Sequence, residues 1–352
     1  MLGDVRILLT GGLGFIGSPT RRALVAAGHD IVVLDRADTA DRKGRTGRTE
    51  PAPPPVPDGV EVIRADVRDL PAVRAATTHA DAVVHLAAKV GLGVSLADLD
   101  DYVSVNDLGT AVVLRAAAEA GVGDVVLASS MVVYGEGRYT CTSDGVVAPL
   151  PRRAADLEAG EFEPRCPHCG GTLEPGLVTE DAALDPRNVY AATKVHDEHL
   201  LAVWARETGA RATALRFHNV YGPGMPADTP YAGVASIFAS ELAAGRPPRV
   251  TEDGAQRRDF VHVDDVADAV VATLSRPGTP GTLRALNVGS GRVTTVGELA
   301  AALADARGGP RPVVTGSYRL GDVRHVAASS ERAARELGWR ARIALADGVA
   351  DL

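Results

Sequence analysis

Tyr190 and Lys194 stand four residues apart in the run Tyr190-Ala191-Ala192-Thr193-Lys194. On a helix, that spacing puts both side chains on one face. A free phenol, with a pKa of about 10, is a poor base at neutral pH. A neighbouring ammonium and a cationic nicotinamide ring both favour the phenolate. Ser130, at the end of an earlier apolar run, can offer its hydroxyl to the same substrate oxygen. Proton removal by Tyr190, coupled to hydride loss to a nicotinamide cofactor, would oxidise a secondary alcohol to a ketone. Lys194 can also hold the cofactor ribose. A Tyr-x-x-x-Lys alone is common on solvated helices, so its meaning depends on whether the chain also builds a dinucleotide site.

It carries the signature of one. Residues 5–10 form an apolar run that reads as a strand buried on both faces, and residues 18–27 carry a helical pattern. Between them lies Gly11-Gly12-Leu13-Gly14-Phe15-Ile16-Gly17. Gly11 permits the tight turn, Gly14 the approach of a pyrophosphate, and Gly17 close packing of helix on strand. The helix N-terminus then offers free N–H groups to phosphate. Asp35 ends the next strand, residues 31–34. A carboxylate there accepts a bond from a ribose 2′-OH and repels a 2′-phosphate, which favours NAD over NADP. Arg36 beside it pulls the other way.

These groups require strands that end near one another. Strands are expected at 60–64, 82–86, 124–128 and 212–216, and long helices at 102–120 and 188–208. The alternation predicts an α/β fold: a Rossmann-type doubly wound parallel sheet, with a smaller C-terminal substrate-binding lobe over the strand ends. Residues 1–217 are assigned to the dinucleotide-binding domain. Residues 218–352 are assigned mainly to the lobe, with some segments returning to the first domain. Residues 39–59, charged and then proline-rich, read as a solvated loop. Residues 137–179 read as a polar insertion of little periodicity.

Composition narrows the function. The 352 residues are 45% hydrophobic and carry a formal net charge of −8. An acidic chain speaks against a nucleic-acid partner, which needs clustered positive charge. No apolar run is long enough to span a membrane. The start Met1-Leu2-Gly3-Asp4 lacks a basic-then-apolar leader, so a cytoplasmic protein is expected.

Cys166-Pro167-His168-Cys169-Gly170 has the form of a zinc knuckle, whose two thiolates can share a tetrahedral metal. Cys141 supplies a third thiolate, and Asp144 or His168 the fourth ligand. With no open position, such a zinc would be structural. The alternative is three free thiols.

Taken together, Thr10–Gly17, Ala65–Asp69, His85–Ala88, Asn106 with Gly109-Thr110, Ser129–Gly135, Tyr190–Lys194, Leu215–Pro223 and Arg258–Val266 resemble the extended short-chain dehydrogenase/reductases, in the branch of nucleotide-sugar epimerases and dehydratases. The resemblance spans nearly the whole chain. It implies a cofactor cleft of Gly11, Gly14, Phe15, Ile16, Gly17, Asp35, Arg36, Asp66, Val67, Leu86, Ala87, Ala88, Lys89, Asn106, Ser129, Tyr190 and Lys194, with Asp66 at the adenine and Ser130 as the catalytic hydroxyl. It also implies substrate contacts from Ser130, Met131, Asn219, Val234, Arg258, Arg319 and Asp322. Arg324 and stretches 150–179 and 230–238 are further candidates, and the two long helices are expected to form a homodimer. Dehydratases of the family carry an Asp-Glu pair after the catalytic hydroxyl; Met131 and Val132 stand there instead. The expectation is therefore an NAD-dependent nucleotide-sugar 4-epimerase, an isomerase. The insertion resembles that of dTDP-L-rhamnose 4-epimerase-like proteins, which makes a dTDP- or UDP-sugar the expected substrate. The rivals are a nucleotide-sugar oxidoreductase or decarboxylase on the same core, and a non-catalytic dinucleotide-binding regulator. The last ordinarily loses the Tyr/Lys pair retained here.

Overall fold

Strand β1 (Arg6–Thr10) shows why a continuous apolar run becomes the centre of a sheet. Ile7 and Leu9 point into one apolar cluster with Val33, Val84, Val266 and Val270. Leu8 points the opposite way, into a second with Val32, Val83, Val113, Ala117 and Leu201. A strand covered on both faces needs apolar residues at every position. The structure, a computed structural model, describes residues 5–36, 56, 59–91, 96–226 and 233–352. The leader reading at residues 1–4 lies outside these, as do nearly all of the 39–59 loop and residues 230–232 of the 230–238 stretch.

The chain runs from β1 into helix α1 (Gly17–Ala26), strands β2 (Asp30–Asp35) and β3 (Glu61–Arg64), helix α2 (Leu70–Thr77) and strand β4 (Ala82–His85). Next come helix α3 (Leu99–Tyr102), a π-helical turn (Val103–Leu108), helix α4 (Gly109–Ala120) and strand β5 (Asp124–Ser130). The helix expected over 102–120 is thus interrupted by a wider turn. Such turns recur at functional sites, and this one carries Asn106. The insertion is more ordered than its composition suggests. Strands β6 (Arg138–Cys141), β7 (Gly145–Val147) and β8 (Glu174–Gly176) form an antiparallel sheet with β6 in the middle, and α5 (Ala154–Glu158) lies between β7 and β8. Tyr139, Cys141, Val147, Cys166 and Leu173 make its own small core.

Helix α6 (Val189–Thr208) follows, capped by the Asn188 side chain on the Ala191 N–H at 2.8 Å and ended by Gly209 at φ 70°. Strand β9 (Arg211–Phe217) joins the main sheet, and β10 (Asn219–Tyr221) begins the lobe. There α7 (Val234–Ala243) packs on α9 (Val296–Ala306) through Phe238, Leu242, Leu299 and Leu303. Strand β11 is Arg249–Val250, β12 is Arg257–His262, and α8 (Val263–Ser275) leads to β13 (Leu283–Val288) and β14 (Val293–Thr295). The lobe sheet runs β10-β12-β14, whereas the seven-stranded main sheet runs β13-β9-β5-β4-β1-β2-β3. Every pairing in the main sheet is parallel, so all its strands end on one edge. That edge carries the glycine loop after β1, Asp35 after β2 and Ser130 after β5. A shallow hollow of about 450 Å³ at the opposite edge, lined by Gly121, Gly123, Gly209 and Arg211, holds none of these residues.

Candidate active site

The glycine loop is fixed by distance. A Cβ on Gly17 would sit 2.0 Å from the Gly11 carbonyl oxygen, and one on Gly11 would meet the Ala87 nitrogen at 2.8 Å. Gly11 itself stands at φ 71°, a left-handed conformation that glycine adopts freely. The Leu13 N–H donates to the Asp35 carboxylate at 2.8 Å, tying the loop to the end of β2. Arg21, fully buried on α1, donates to the Gly12 carbonyl at 3.0 Å from beneath. Its role was not legible in the glycine pattern. The cradle that a Cβ would fill, the helix N-terminus behind it and a carboxylate at the second strand together suit a dinucleotide.

Other expected cofactor residues are engaged with one another. Asp66 accepts from the Arg68 backbone N–H at 2.9 Å and from two guanidinium nitrogens at 2.8 and 2.7 Å, which hold its carboxyl below the usual range. Arg36 approaches it at 3.7 Å. Arg68, two residues on, was not foreseen as its partner. Asn106 in the π turn accepts from the Lys89 N–H at 2.8 Å and donates to the Lys89 carbonyl and the Thr193 hydroxyl, both at 3.0 Å. It therefore clamps the strand-end loop to α6. Lys89 pairs with Asp101 and lies 4.7 Å from the centre of the Tyr102 ring.

On α6, Tyr190 lies beside Ser130, and its ring meets Tyr102 edge-on at 6.4 Å. The structure thus brings the expected hydroxyl and phenol together. Burial pushes the phenol above its ordinary pKa; Lys194 and the nearby Ser130 hydroxyl pull it back only in part. The lowering expected from Lys194 alone is outweighed, because 8% exposure leaves little water to solvate a phenolate. Lys194 is itself buried, with its Nζ 3.1 Å from Asp197 Oδ2.

Beneath the pair lies a polar network that motif reading missed. Glu198 accepts the Ser129 hydroxyl and two Arg216 nitrogens at 2.9 and 2.7 Å. Arg216 also donates to the Tyr134 hydroxyl at 2.9 Å, which donates to Asn287 at 2.8 Å. Glu198 is four residues after Lys194, a spacing that could have flagged it.

The expected substrate residues divide. Asn219 Oδ1 is buried without a partner among the described residues, as suits an acceptor awaiting a ligand. Arg258 instead donates to the Val323 and Arg324 carbonyls at 2.7 and 2.8 Å, so it shapes the segment carrying Asp322. Arg319 is exposed. Val234 opens α7, and Met131 packs with Tyr134, Val178 and Val326. Arg324 is wholly buried among Glu163, Glu252 and Asp253, which leaves it no free face for a diphosphate. Glu163, from the insertion, also meets His325 at 2.9 Å.

In the insertion, Cys141, Asp144, Cys166 and Cys169 gather with their ligand atoms within 4.8 Å of one another. Asp144 lies 3.2 Å from both Cys141 and Cys166, and the Cys141 and Cys169 sulfurs are 3.5 Å apart. Asp144 and not His168 completes this group.

A parallel sheet with a glycine cradle at its carboxyl edge, and a Ser/Tyr/Lys set beside it, defines an enzyme of dinucleotide-dependent alcohol–ketone chemistry. The profile of the NAD dependent epimerase/dehydratase family matches residues 7–168 and 169–289, and the chain belongs to that family. It is 34% identical to the dTDP-L-rhamnose 4-epimerase of Burkholderia thailandensis, over 99% of this chain and 93% of that one. It is 33% identical to the UDP-glucose 4-epimerase of Mycolicibacterium smegmatis, over 98% and 96%. Among solved structures, the NAD complex of the Thermus thermophilus UDP-glucose 4-epimerase superposes with a TM-score of 0.76 at 30% identity, over 99% and 97% of the two chains.

Proposed function

We propose that this protein is an NAD-dependent nucleotide-sugar 4-epimerase acting on a dTDP-deoxyhexose of the L-rhamnose type. The observation that carries the reading is the placement of Ser130, at the carboxyl end of β5, beside the buried Tyr190/Lys194 pair of α6 and on the sheet edge that holds the glycine cradle, with Met131 and Val132, which have no proton to give, next in sequence. NAD, when bound, supplies a reversible acceptor for the hydrogen at sugar C4. Gly11, Gly14, Gly17 and Asp35 would hold it. Ser130 bonds the C4 oxygen and aligns it on the phenol. Tyr190 takes the hydroxyl proton during oxidation and returns it during reduction, so it ends unchanged. Lys194 supplies the positive charge that makes a buried phenol usable as a base. Asn219 and Arg319 are the proposed diphosphate contacts and Asp322 the proposed contact to the nucleoside ribose, with Arg258 positioning the segment that carries Asp322. The substrate preference draws on the likeness to the rhamnose 4-epimerase.

Incubation with dTDP-, UDP- and GDP-sugars without added cofactor, read by product NMR, tests this. A C4 epimer of a dTDP-deoxyhexose is expected. Turnover only with added NADPH would move the protein to the oxidoreductases.

Two features of assembly belong to the same reading. Leu99, Val103 and Leu108 on the α3–α4 stretch and Val203 on α6 are 40–51% exposed, an apolar face that suits a homodimer through these helices. Three thiols and a carboxylate also suit zinc. Bonds of about 2.3 Å to sulfur place tetrahedral ligand atoms a little under about 4 Å apart. Cys141, Asp144, Cys166 and Cys169 would hold it, as a structural metal in a reducing, cytoplasmic setting. About one zinc per chain is expected in protein purified without chelators.

A further inference from the structure

We propose that Asp197 is the buried counter-ion of Lys194, a positioning residue that aims its ammonium and raises the pH at which Tyr190 works. The inference rests on the reading of Tyr190 as the proton carrier.

Asp197 lies three residues after Lys194 on α6, so the two side chains share a face. Its Oδ2 is 3.1 Å from Lys194 Nζ, and the residue is 0% exposed. Its other oxygen, Oδ1, is buried with no hydrogen-bond partner among the described residues. A carboxylate buried for packing or stability alone ordinarily has both oxygens bonded, because an unbonded one costs free energy. Exceptions concentrate where charge serves function. Among the described residues, the Asp197 carboxylate accepts its side-chain hydrogen bond from the ammonium expected to stabilise the phenolate.

The surrounding charges are few. Lys194 faces Tyr190 and Asp197 on its own helix, Asp107 on the π turn, and the His85 ring on β4. Asp107 faces Asp197 and is met by His196 at 3.2 Å. His85 is neutral in the fold; Asp107 acts on Lys194 and Asp197, whereas Asp197 acts on Tyr190 as well and opposes its ionisation. Asp197 is the one bonded to Lys194. Its charge keeps Lys194 protonated and holds its nitrogen in a fixed direction. It also offsets part of the positive field at the phenol oxygen. Burial and Asp197 both raise the proton affinity of Tyr190, while Lys194 and Ser130 lower it.

The sign of the consequence is fixed. In Asp197→Asn the amide keeps the shape and an oxygen toward Lys194 but loses the charge. The phenolate then forms at lower pH, and the acid limb of the kcat profile moves down by roughly one pH unit, the scale of one nearby charge. Asp197→Ser loses the aim as well, so its plateau kcat falls in addition to the shift. The experiment measures kcat against pH for the wild type and both variants, with circular dichroism and retained NAD as checks on folding. Ultraviolet difference titration of each protein against its Tyr190→Phe counterpart follows the phenol directly. A lower midpoint in both measurements supports the proposal. An unchanged midpoint in a folded variant of either kind overturns it. Should Tyr190→Phe alone keep near-normal turnover, the underlying assignment of Tyr190 fails instead, and the two failures are thereby distinguished.

Discussion

The Ser129 hydroxyl donates to the Glu198 carboxylate, so the strand that carries Ser130 is bonded to the helix that carries Tyr190. Their mutual position is set one residue away from the reacting groups, by a buried carboxylate that also receives Arg216. Breaking this contact is therefore expected to lower stability and turnover together.

Glu198→Ala leaves the Arg216 guanidinium buried without its carboxylate, as the pair is only 6% and 2% exposed. Removing one partner of a buried pair costs about 3–5 kcal/mol. Denaturant unfolding is expected to show a loss of that size with kcat reduced as well. A loss under about 1 kcal/mol, the value of a surface pair, would contradict it.

Tyr190→Phe removes the phenol proton and keeps the ring against Tyr102. Turnover is expected to fall by roughly two to four orders of magnitude, the range for general acid–base groups. NAD content after gel filtration stays at the wild-type level, because the cradle lies on β1 and α1.

Gly17→Ala places a methyl group 2.0 Å from the Gly11 carbonyl oxygen. That contact involves backbone on both sides, so neither can yield by rotating a side chain. The expected result is protein purified without NAD and with a lowered melting temperature. Retention of stoichiometric cofactor would refute the close-packing account.

His85 is buried between the Thr10 hydroxyl at 2.6 Å and the Thr110 hydroxyl at 3.1 Å. Burial first, and then the charge of Lys194, push its pKa down to about 3. In the unfolded chain the ring titrates near about 6.5. Between those values only the unfolded state takes up the proton, so stability is lost as pH falls, at about 1.4 kcal/mol per pH unit. His85→Gln lacks this linkage. The stability difference between wild type and variant should shrink as pH drops from 6 to 4 in urea titrations. Asp124, with its carboxyl pushed up to about 6 by burial, acts in the opposite sense in both proteins and cancels from the difference.

The parts of the site legible in sequence are those whose spacing the chemistry dictates. Gly11, Gly14 and Gly17 follow from a pyrophosphate beside a tight turn, and Tyr190 with Lys194 from one helical turn. The groups that hold them were not legible, since they meet only in three dimensions. Arg21 supports the glycine loop from α1, and Arg216 reaches Glu198 from β9. Arg324, a candidate for the substrate diphosphate, proved to be enclosed by Glu163, Glu252 and Asp253, residues 71 to 161 positions away. The insertion read as irregular because its sheet is built from strands of three and four residues, too short to show a period.

Strand β13 comes from the C-terminal third of the chain, yet it closes the main sheet against β9 in full parallel register, from Leu283 beside Ala212 to Val288 beside Phe217. A cut after residue 217 would therefore not release an autonomous dinucleotide-binding half. It would leave β9 as a bare edge, open to pairing with other chains. The two halves thus share one sheet, and a chimera that exchanged them at this point would have to rebuild the β9–β13 seam.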